Sequence, residues 1–160
     1  MNRENADNLR LDREDSERRE PAATMRPEQT QDRQNLLKDI QLLVVEDDRD
    51  TRELMRFLLR QHGAVVVAAD NVSVAIDSFN LRRPDVVVAD ISMAGNDGFA
   101  LIAHIRSLDK TPAVAVTAYT NPESRKRGLN AGFNAYLGKP FDPEELVATV
   151  RRLYDERKCG

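Results

Sequence analysis

Two short apolar runs that end abruptly in acid constrain this chain more than any other feature. Val86-Val87-Val88-Ala89-Asp90 and Leu42-Leu43-Val44-Val45-Glu46-Asp47-Asp48 show no alternation of apolar and polar residues. Unbroken runs of this kind suit strands buried on both faces, as in a parallel sheet. A carboxylate directly after such a run lies at the carboxyl end of its strand, the edge where open α/β sheets bind ligands. Asp90 is therefore the first candidate for a working residue. Alone it reads better as the start of a turn, and the second acidic strand end is what strengthens the case.

From Ile40 onward the chain keeps a regular beat. Ile40 to Val45 reads as a strand. Asp50 offers an N-cap with Glu53 three residues on, a capping-box spacing, and Leu54, Phe57 and Leu58 form the apolar stripe of a helix that Gly63 stops. Ala64 to Ala69 is a second strand, followed by a helix from Val72 to Leu81 with Val72, Ala75, Ile76 and Phe79 on one stripe. Val86 to Asp90 is the third strand. Phe99 to Leu108 is a helix burying Leu101, Ile102 and Ile105, and Ala113 to Thr117 is the fourth strand. Asn121-Pro122 places a cap before a proline at the first helical position, in a helix ending near Gly132. Ala135 to Gly138 is the fifth strand. Asp142-Pro143 repeats the cap, and Leu146, Val150 and Leu153 line the last helix.

Five strand-helix pairs in strict alternation predict an α/β three-layer sandwich, a parallel five-stranded sheet covered on both faces. The flavodoxin-like order 2-1-3-4-5 sets the ends of strands one and three side by side at the switch point. Glu46, Asp47 and Asp90 then share one pocket. At an effective dielectric of about 20, two carboxylates about 4 Å apart repel by roughly 4 kcal/mol. Either one takes a proton or a cation neutralises the group. Hard oxygen donors in small number favour Mg²⁺. Strand four ends on Thr117 and strand five is followed by Lys139, so a hydroxyl and an ammonium face the same crevice. Together they make a receptacle for a tetrahedral dianion, with Asp90 as a nucleophile that forms an acyl phosphate.

The motifs Leu43-Val44-Val45-Glu46-Asp47-Asp48, Val88-Ala89-Asp90 with Met93 and Asp97-Gly98, Thr117-Ala118, and Lys139-Pro140-Phe141 resemble the receiver domain of two-component response regulators. The resemblance runs from about Ile40 to Leu153. It implies that Asp90 is the phosphoacceptor, taking a phosphoryl group from a histidine of a kinase or of a histidine phosphotransfer protein. It implies Asp47 as a direct Mg²⁺ ligand, Glu46 as a ligand through water, and the Ser92 carbonyl as the third protein ligand beside Asp90. Thr117 and Tyr136 match the switch pair, Lys139 the phosphoryl contact, and the bond before Pro140 is implied to be cis. Asp48 falls outside the matching acidic pair and belongs to the turn before the first helix. Glu stands at 46 where Asp is commoner, and Ala94 replaces the usual proline after Met93. Ser92 and Tyr119 occupy the two positions at which the family tunes phosphoryl lifetime. The downstream protein target is implied to meet the face made by helix four, strand five and helix five, where Arg125, Lys126 and Arg127 lie; the plain alternative is a solvated face.

Composition narrows the remainder. A chain of 160 residues, 41% of them hydrophobic, makes one domain with a real core. A net charge of −3 gives no reason to expect nucleic acid as a partner. No apolar run approaches the roughly 18 residues of a membrane span, no signal peptide is evident, and the single Cys159 excludes an internal disulfide. A cytoplasmic protein without a membrane partner is expected. Residues 1–38, rich in Asp, Glu and Arg, are expected to form a mobile tail, with Gln29 to Leu37 the part most expected to order; a dimerisation or partner-binding helix is the alternative. Residues 39–157 form the domain and 158–160 its end. His62 and His104 lack metal-ligand partners and are set aside. The expected function is a phosphorylation-activated signalling switch acting by protein contact, with homodimerisation open, and an enzyme only toward its own phosphoryl group. The alternatives are a phosphorylation-independent scaffold and a haloacid-dehalogenase-type phosphatase, although Ser92 stands where the latter needs a second acid.

Overall fold

The computed structural model describes residues 32–160. Most of the segment expected as a tail, residues 1–31, lies outside the described residues. Strands β1 (Gln41–Val45), β2 (Val65–Ala69), β3 (Val86–Ala89), β4 (Ala113–Thr117) and β5 (Ala135–Gly138) form one sheet in the order β2-β1-β3-β4-β5. All four pairings are parallel. The connections run through α1 (Arg49–Gln61), α2 (Val72–Leu81), α3 (Asp97–Leu108), α4 (Pro122–Ala131) and α5 (Pro143–Cys159), with a 3-10 turn at Ala94–Asn96 leading into α3. This is the expected three-layer sandwich with the expected strand order.

The inner strands β1, β3 and β4 carry unbroken apolar runs because both faces are covered, whereas edge strand β2 leaves Val65 and Val67 exposed. Leu42, Val44, Val88, Val114 and Val116 pack with Met55 and Leu59 of α1 and Leu146, Val150 and Leu153 of α5. Leu43, Val45, Val87, Ala89, Ala113 and Ala115 pack with Ala75 and Phe79 of α2 and Leu101, Ile102 and Ile105 of α3. Side chains from neighbouring positions of one strand thus enter different cores, as the two-residue strand period requires. Arg106 fastens α3 to the loops leading into β4 and β5: its guanidinium donates to the carbonyls of Thr111 and Gly132, each at 2.7 Å, and to Asn134 Oδ1 at 2.9 Å.

The first helix departs from expectation in start and phase. Its N-cap is Asp48 rather than Asp50: Asp48 Oδ2 accepts from the Thr51 N–H at 2.9 Å and from the Thr51 hydroxyl at 2.6 Å. Both hydrogen bonds to the cap hold its carboxyl below the ordinary value. Starting the helix there turns Met55 and Leu59 onto the sheet, while Leu54 and Phe57, placed inside by the sequence reading, are 57% and 61% exposed. Two interleaved apolar stripes fit the sequence equally well, and the cap decides between them. The expected caps Asn121 and Asp142 are found, accepting from Ser124 and Glu144 N–H groups. The core also takes in Leu37, on the tail side of the expected boundary at residue 38. Its N–H donates to the His62 carbonyl and that of Asp39 to Gly63. Gly63 permits this close approach: its φ is +93°, and a Cβ there would stand 3.0 Å from the Lys38 Cα. Among the described residues no helix is long and apolar enough to cross a membrane.

Candidate functional site

The parallel register carries the site residues to one edge. Val45 pairs with Ala89, Ala89 with Ala115, and Thr117 with Gly138. The ladder continues one residue past these ends. The Glu46 N–H donates to the Ala69 carbonyl at 3.1 Å, Asp90 to Val45 at 2.9 Å, and Lys139 to Thr117 at 2.8 Å. The residue after each strand is therefore held by the same backbone bonds as the strand itself.

One carboxylate oxygen from each of Glu46, Asp47 and Asp90 lies within 4.8 Å of the other two. Glu46 and Asp90 are 1% and 3% exposed, whereas Asp47 faces solvent. Lys139 reaches between the two buried acids, its Nζ 2.7 Å from Glu46 Oε2 and 3.0 Å from Asp90 Oδ2. The remaining oxygens are also engaged. Asp48 N–H donates to Glu46 Oε1 at 3.2 Å, and Asp90 Oδ1 accepts from the Ser92 N–H at 2.7 Å and the Ser92 hydroxyl at 2.6 Å. Arg52 secures the acidic strand end from outside, donating to the Glu46 carbonyl at 3.0 Å.

Thr117 and Tyr136 stand one step away. Both are buried. Thr117 Oγ1 accepts from the Tyr119 N–H at 3.2 Å, and the Tyr136 hydroxyl donates to the Tyr119 carbonyl oxygen. The Tyr119 backbone thus joins the expected switch pair, and its own ring is half exposed. Burial raises the Tyr136 phenol above its ordinary value. The bond between Lys139 and Pro140 is cis, as the resemblance implied.

A family model described as "Response regulator receiver domain" matches residues 42–151. The chain belongs to the response regulator receiver family. This receiver domain is 44% identical over 119 residues to an uncharacterized 14.6 kDa protein of Leptolyngbya boryana, covering 72% of this chain and 91% of that protein. It is 37% identical over 115 residues to the phosphate regulon transcriptional regulatory protein PhoB of Escherichia coli, covering 70% of this chain and only half of PhoB. Among solved structures, the receiver domain of the Francisella response regulator 1452 superposes with a TM-score of 0.71 at 28% identity, covering 74% of this chain and 99% of that one. Receiver domains are signalling domains of two-component systems rather than classical enzymes, and bind Mg²⁺ through an acidic pocket. In this receiver Glu46, Asp47 and Asp90 form an acidic cluster, and carboxylate oxygens are the donor type Mg²⁺ takes.

Sequence reasoning missed two contributors to this receiver's site. The Ser92 hydroxyl bonds the Asp90 carboxylate, a role hidden because Ser92 was read for its carbonyl and its position. Arg52 was not singled out at all; its place six residues after Glu46 was the one available signal. The basic residues of α4 also prove less uniform than a solvated face, since the Arg127 guanidinium stacks on the Phe99 ring at 4.4 Å. His62 Nδ1 lies 2.9 Å from the Leu58 carbonyl and His104 Nε2 3.3 Å from Asn80 Oδ1, so both rings have local partners. Cys159 is free and exposed.

Burial pushes the Glu46 carboxyl up to about 7, with the Asp90 charge adding to it and the Lys139 hydrogen bond opposing it. Burial alone would lower the Lys139 ammonium, but its bonds to Glu46 and Asp90 outweigh that and raise it. A raised carboxyl stabilises the fold fully below its unfolded value, and that stability is lost as pH rises through the folded value. In chelator, melting of the wild type should therefore show a falling contribution between about pH 4.5 and about pH 7. Its slope is at most roughly 1.4 kcal/mol per pH unit for one proton. Glu46→Gln should remove that part of the slope. Parallel pH profiles for the two proteins would refute the assignment.

Proposed function

We propose that this receiver is a phosphorylation-activated switch of a two-component phosphorelay, accepting a phosphoryl group from a histidine onto Asp90. The observation that carries the reading is the setting of Asp90 itself. It is a buried carboxylate, fixed at the end of β3, with Ser92 on one oxygen, Lys139 on the other, and two further acids within 4.8 Å. Few structural roles need three carboxylates and one lysine at one sheet edge. A cation-assisted anion site needs all of them.

In the transfer, an Asp90 oxygen bonds to phosphorus as the phosphorus–nitrogen bond of the phosphohistidine breaks. The imidazole nitrogen keeps the bonding pair, takes a proton and leaves as neutral histidine. Asp47 and Asp90, with Glu46 through water and the Ser92 carbonyl, would hold Mg²⁺. When bound, Mg²⁺ supplies charge that offsets the carboxylates and the incoming phosphoryl oxygens. Lys139, freed from Glu46 and Asp90, can then donate to a phosphoryl oxygen. The Thr117 hydroxyl donates to another after leaving the Tyr119 N–H, and Tyr136 responds through the same Tyr119 backbone.

The phosphoryl donor is a histidine kinase or histidine phosphotransfer protein. The output is a protein target meeting the α4, β5 and α5 face, in the cytoplasm, without nucleic acid or membrane as a direct partner of this domain; a homodimer is an alternative form of output. Intact mass after incubation with acetyl phosphate tests the core of this reading. One phosphoryl group that needs Mg²⁺ and is absent in Asp90→Asn is expected. No labelling of the wild type, where a control receiver is labelled, would favour a phosphorylation-independent scaffold instead.

Ser92 and Tyr119 are the proposed lifetime-tuning pair. The exposed Tyr119 ring stands two residues beyond Thr117 and shields the acyl phosphate from water. Tyr119→Ala should lose its phosphoryl group roughly tenfold faster, equivalent to about 1.4 kcal/mol in the barrier. Dephosphorylation followed by intact mass measures this, and equal rates for the two proteins would sink it.

A further inference from the structure

Gly128 is the one buried residue of α4. It sits inside the helix, where glycine is disfavoured because it loses the most backbone freedom on folding. Its φ is not in the left-handed region, so conformation does not require it. Space does. A Cβ on Gly128 would stand 2.9 Å from Tyr136 Cε2 and 3.0 Å from Tyr136 Cδ2, with Ile91 Cδ1 at 3.2 Å. Carbon atoms in contact rest at about 3.5–4.0 Å. The bare backbone of α4 therefore forms one wall of the space that holds the Tyr136 ring, and the far end of the ring is pinned by its hydroxyl bond to the Tyr119 carbonyl.

We propose that Gly128 is the positioning residue for Tyr136, its missing side chain being the seat that holds this aromatic in its buried orientation. Any larger residue drives the ring toward solvent or lifts α4 from the ring. Because α4 approaches β5 this closely only over a glycine, the place of the ring and the place of α4 are not independent. A ring that leaves the seat empties the space beneath α4, and the helix on the proposed output face can then settle inward. The functional meaning of the seat rests on the proposal that Tyr136 is a switch residue; the seat itself concerns packing in the unphosphorylated chain.

The test uses the full chain without phosphorylation, in four versions: wild type, Gly128→Ala, Tyr136→Ala and the double variant. Gly128→Ala should lower the Tm in the wild-type background, where the new methyl meets the ring. In the Tyr136→Ala background it should raise the Tm, because alanine favours the helix and the ring is gone. A reversal of sign supports the seat, as does a Gly128→Ala protein that folds only when Tyr136 is also replaced. Equal Tm shifts in both backgrounds, or failure to fold in both, would overturn it, since the conflict would then lie with Ile91 or the backbone. The ring is followed directly by fluorine NMR of 3-fluorotyrosine-labelled protein, the Tyr136 signal being identified by its loss in Tyr136→Phe. In Gly128→Ala that signal should move toward the position of solvent-exposed fluorotyrosine, and an unmoved signal would also overturn the proposal. Acetyl phosphate labelling of wild type and Gly128→Ala is run separately. It reports on Asp90 alone, so failure of the phosphoacceptor assignment is distinguishable from failure of the seat.

Discussion

Replacing Lys139 with methionine is expected to destabilise the metal-free receiver by about 3 kcal/mol near pH 8, the low end of the range for removing one partner of a buried ion pair. Lys139 bridges two carboxylates at once, and both are almost wholly inaccessible to water. Methionine keeps the length of the side chain and removes the charge, leaving Glu46 and Asp90 facing each other without compensation. Glu46 can limit the damage by keeping a proton, because burial already holds its carboxyl near neutrality. The loss should therefore shrink as pH falls toward about 6. Adding Mg²⁺ should recover more stability in the variant than it adds to the wild type, because the cation then replaces a missing charge rather than competing with a resident one. Denaturant unfolding of both proteins with chelator and with Mg²⁺, at two pH values, measures all of this. A loss independent of pH and of Mg²⁺ would mean that Lys139 contributes through packing alone.

Gly98→Ala is expected to damage the site from the opposite side. A Cβ at Gly98 would stand 2.7 Å from both the Asp90 carbonyl oxygen and the Ile91 Cα, and both are backbone atoms that no rotamer change can move aside. Either the start of α3 lifts away or the loop after β3 shifts by several tenths of an ångström. Overpacking of this kind costs about 1–3 kcal/mol. The effect on chemistry should be larger, because the displaced backbone carries Asp90 and leads into Ser92. Misplacement of a reacting group by about 1 Å can cost on the order of a hundredfold in rate. The expected result is a folded protein with a modestly lower Tm and acetyl phosphate labelling slowed by roughly tenfold to a hundredfold. Circular dichroism melts and time-resolved intact mass give the two numbers. Unchanged labelling with a lowered Tm would show that α3 yields and the loop does not.

The sheet was legible because its central strands are buried on both faces. Val86-Val87-Val88-Ala89 and Leu42-Leu43-Val44-Val45 cannot be partitioned into an inside and an outside, and only a two-sided parallel sheet satisfies them. The acidic cluster followed from the same runs, since strand ends in this topology converge. What could not be read was a choice between equally good alternatives that a hydrogen bond decides. The choice of Asp48 over Asp50 as cap rests on the Thr51 contacts, and it decides whether Met55 and Leu59 or Leu54 and Phe57 reach the core. The Ser92 hydroxyl on Asp90 and the Lys139 bridge depend on rotamers, which no spacing rule reports. Leu37 looked like the end of a charged segment because most of its partners, the His62 and Gly63 region and the core around Leu59, lie more than twenty residues further along the chain.

The backbone bonds that extend past the strand ends have a kinetic consequence. Lys139 meets Glu46 across 93 residues and Asp90 across 49, and each is held by an amide bonded to a different neighbouring strand. No local segment contains even two of these three groups. Closing such long loops is entropically costly until most of the sheet has paired. The pocket, with Lys139 between its acids, is consequently complete only once β5 has paired with β4. Until then the acids that follow β1 and β3 can meet without their ammonium partner, so the site is finished only when the sheet is.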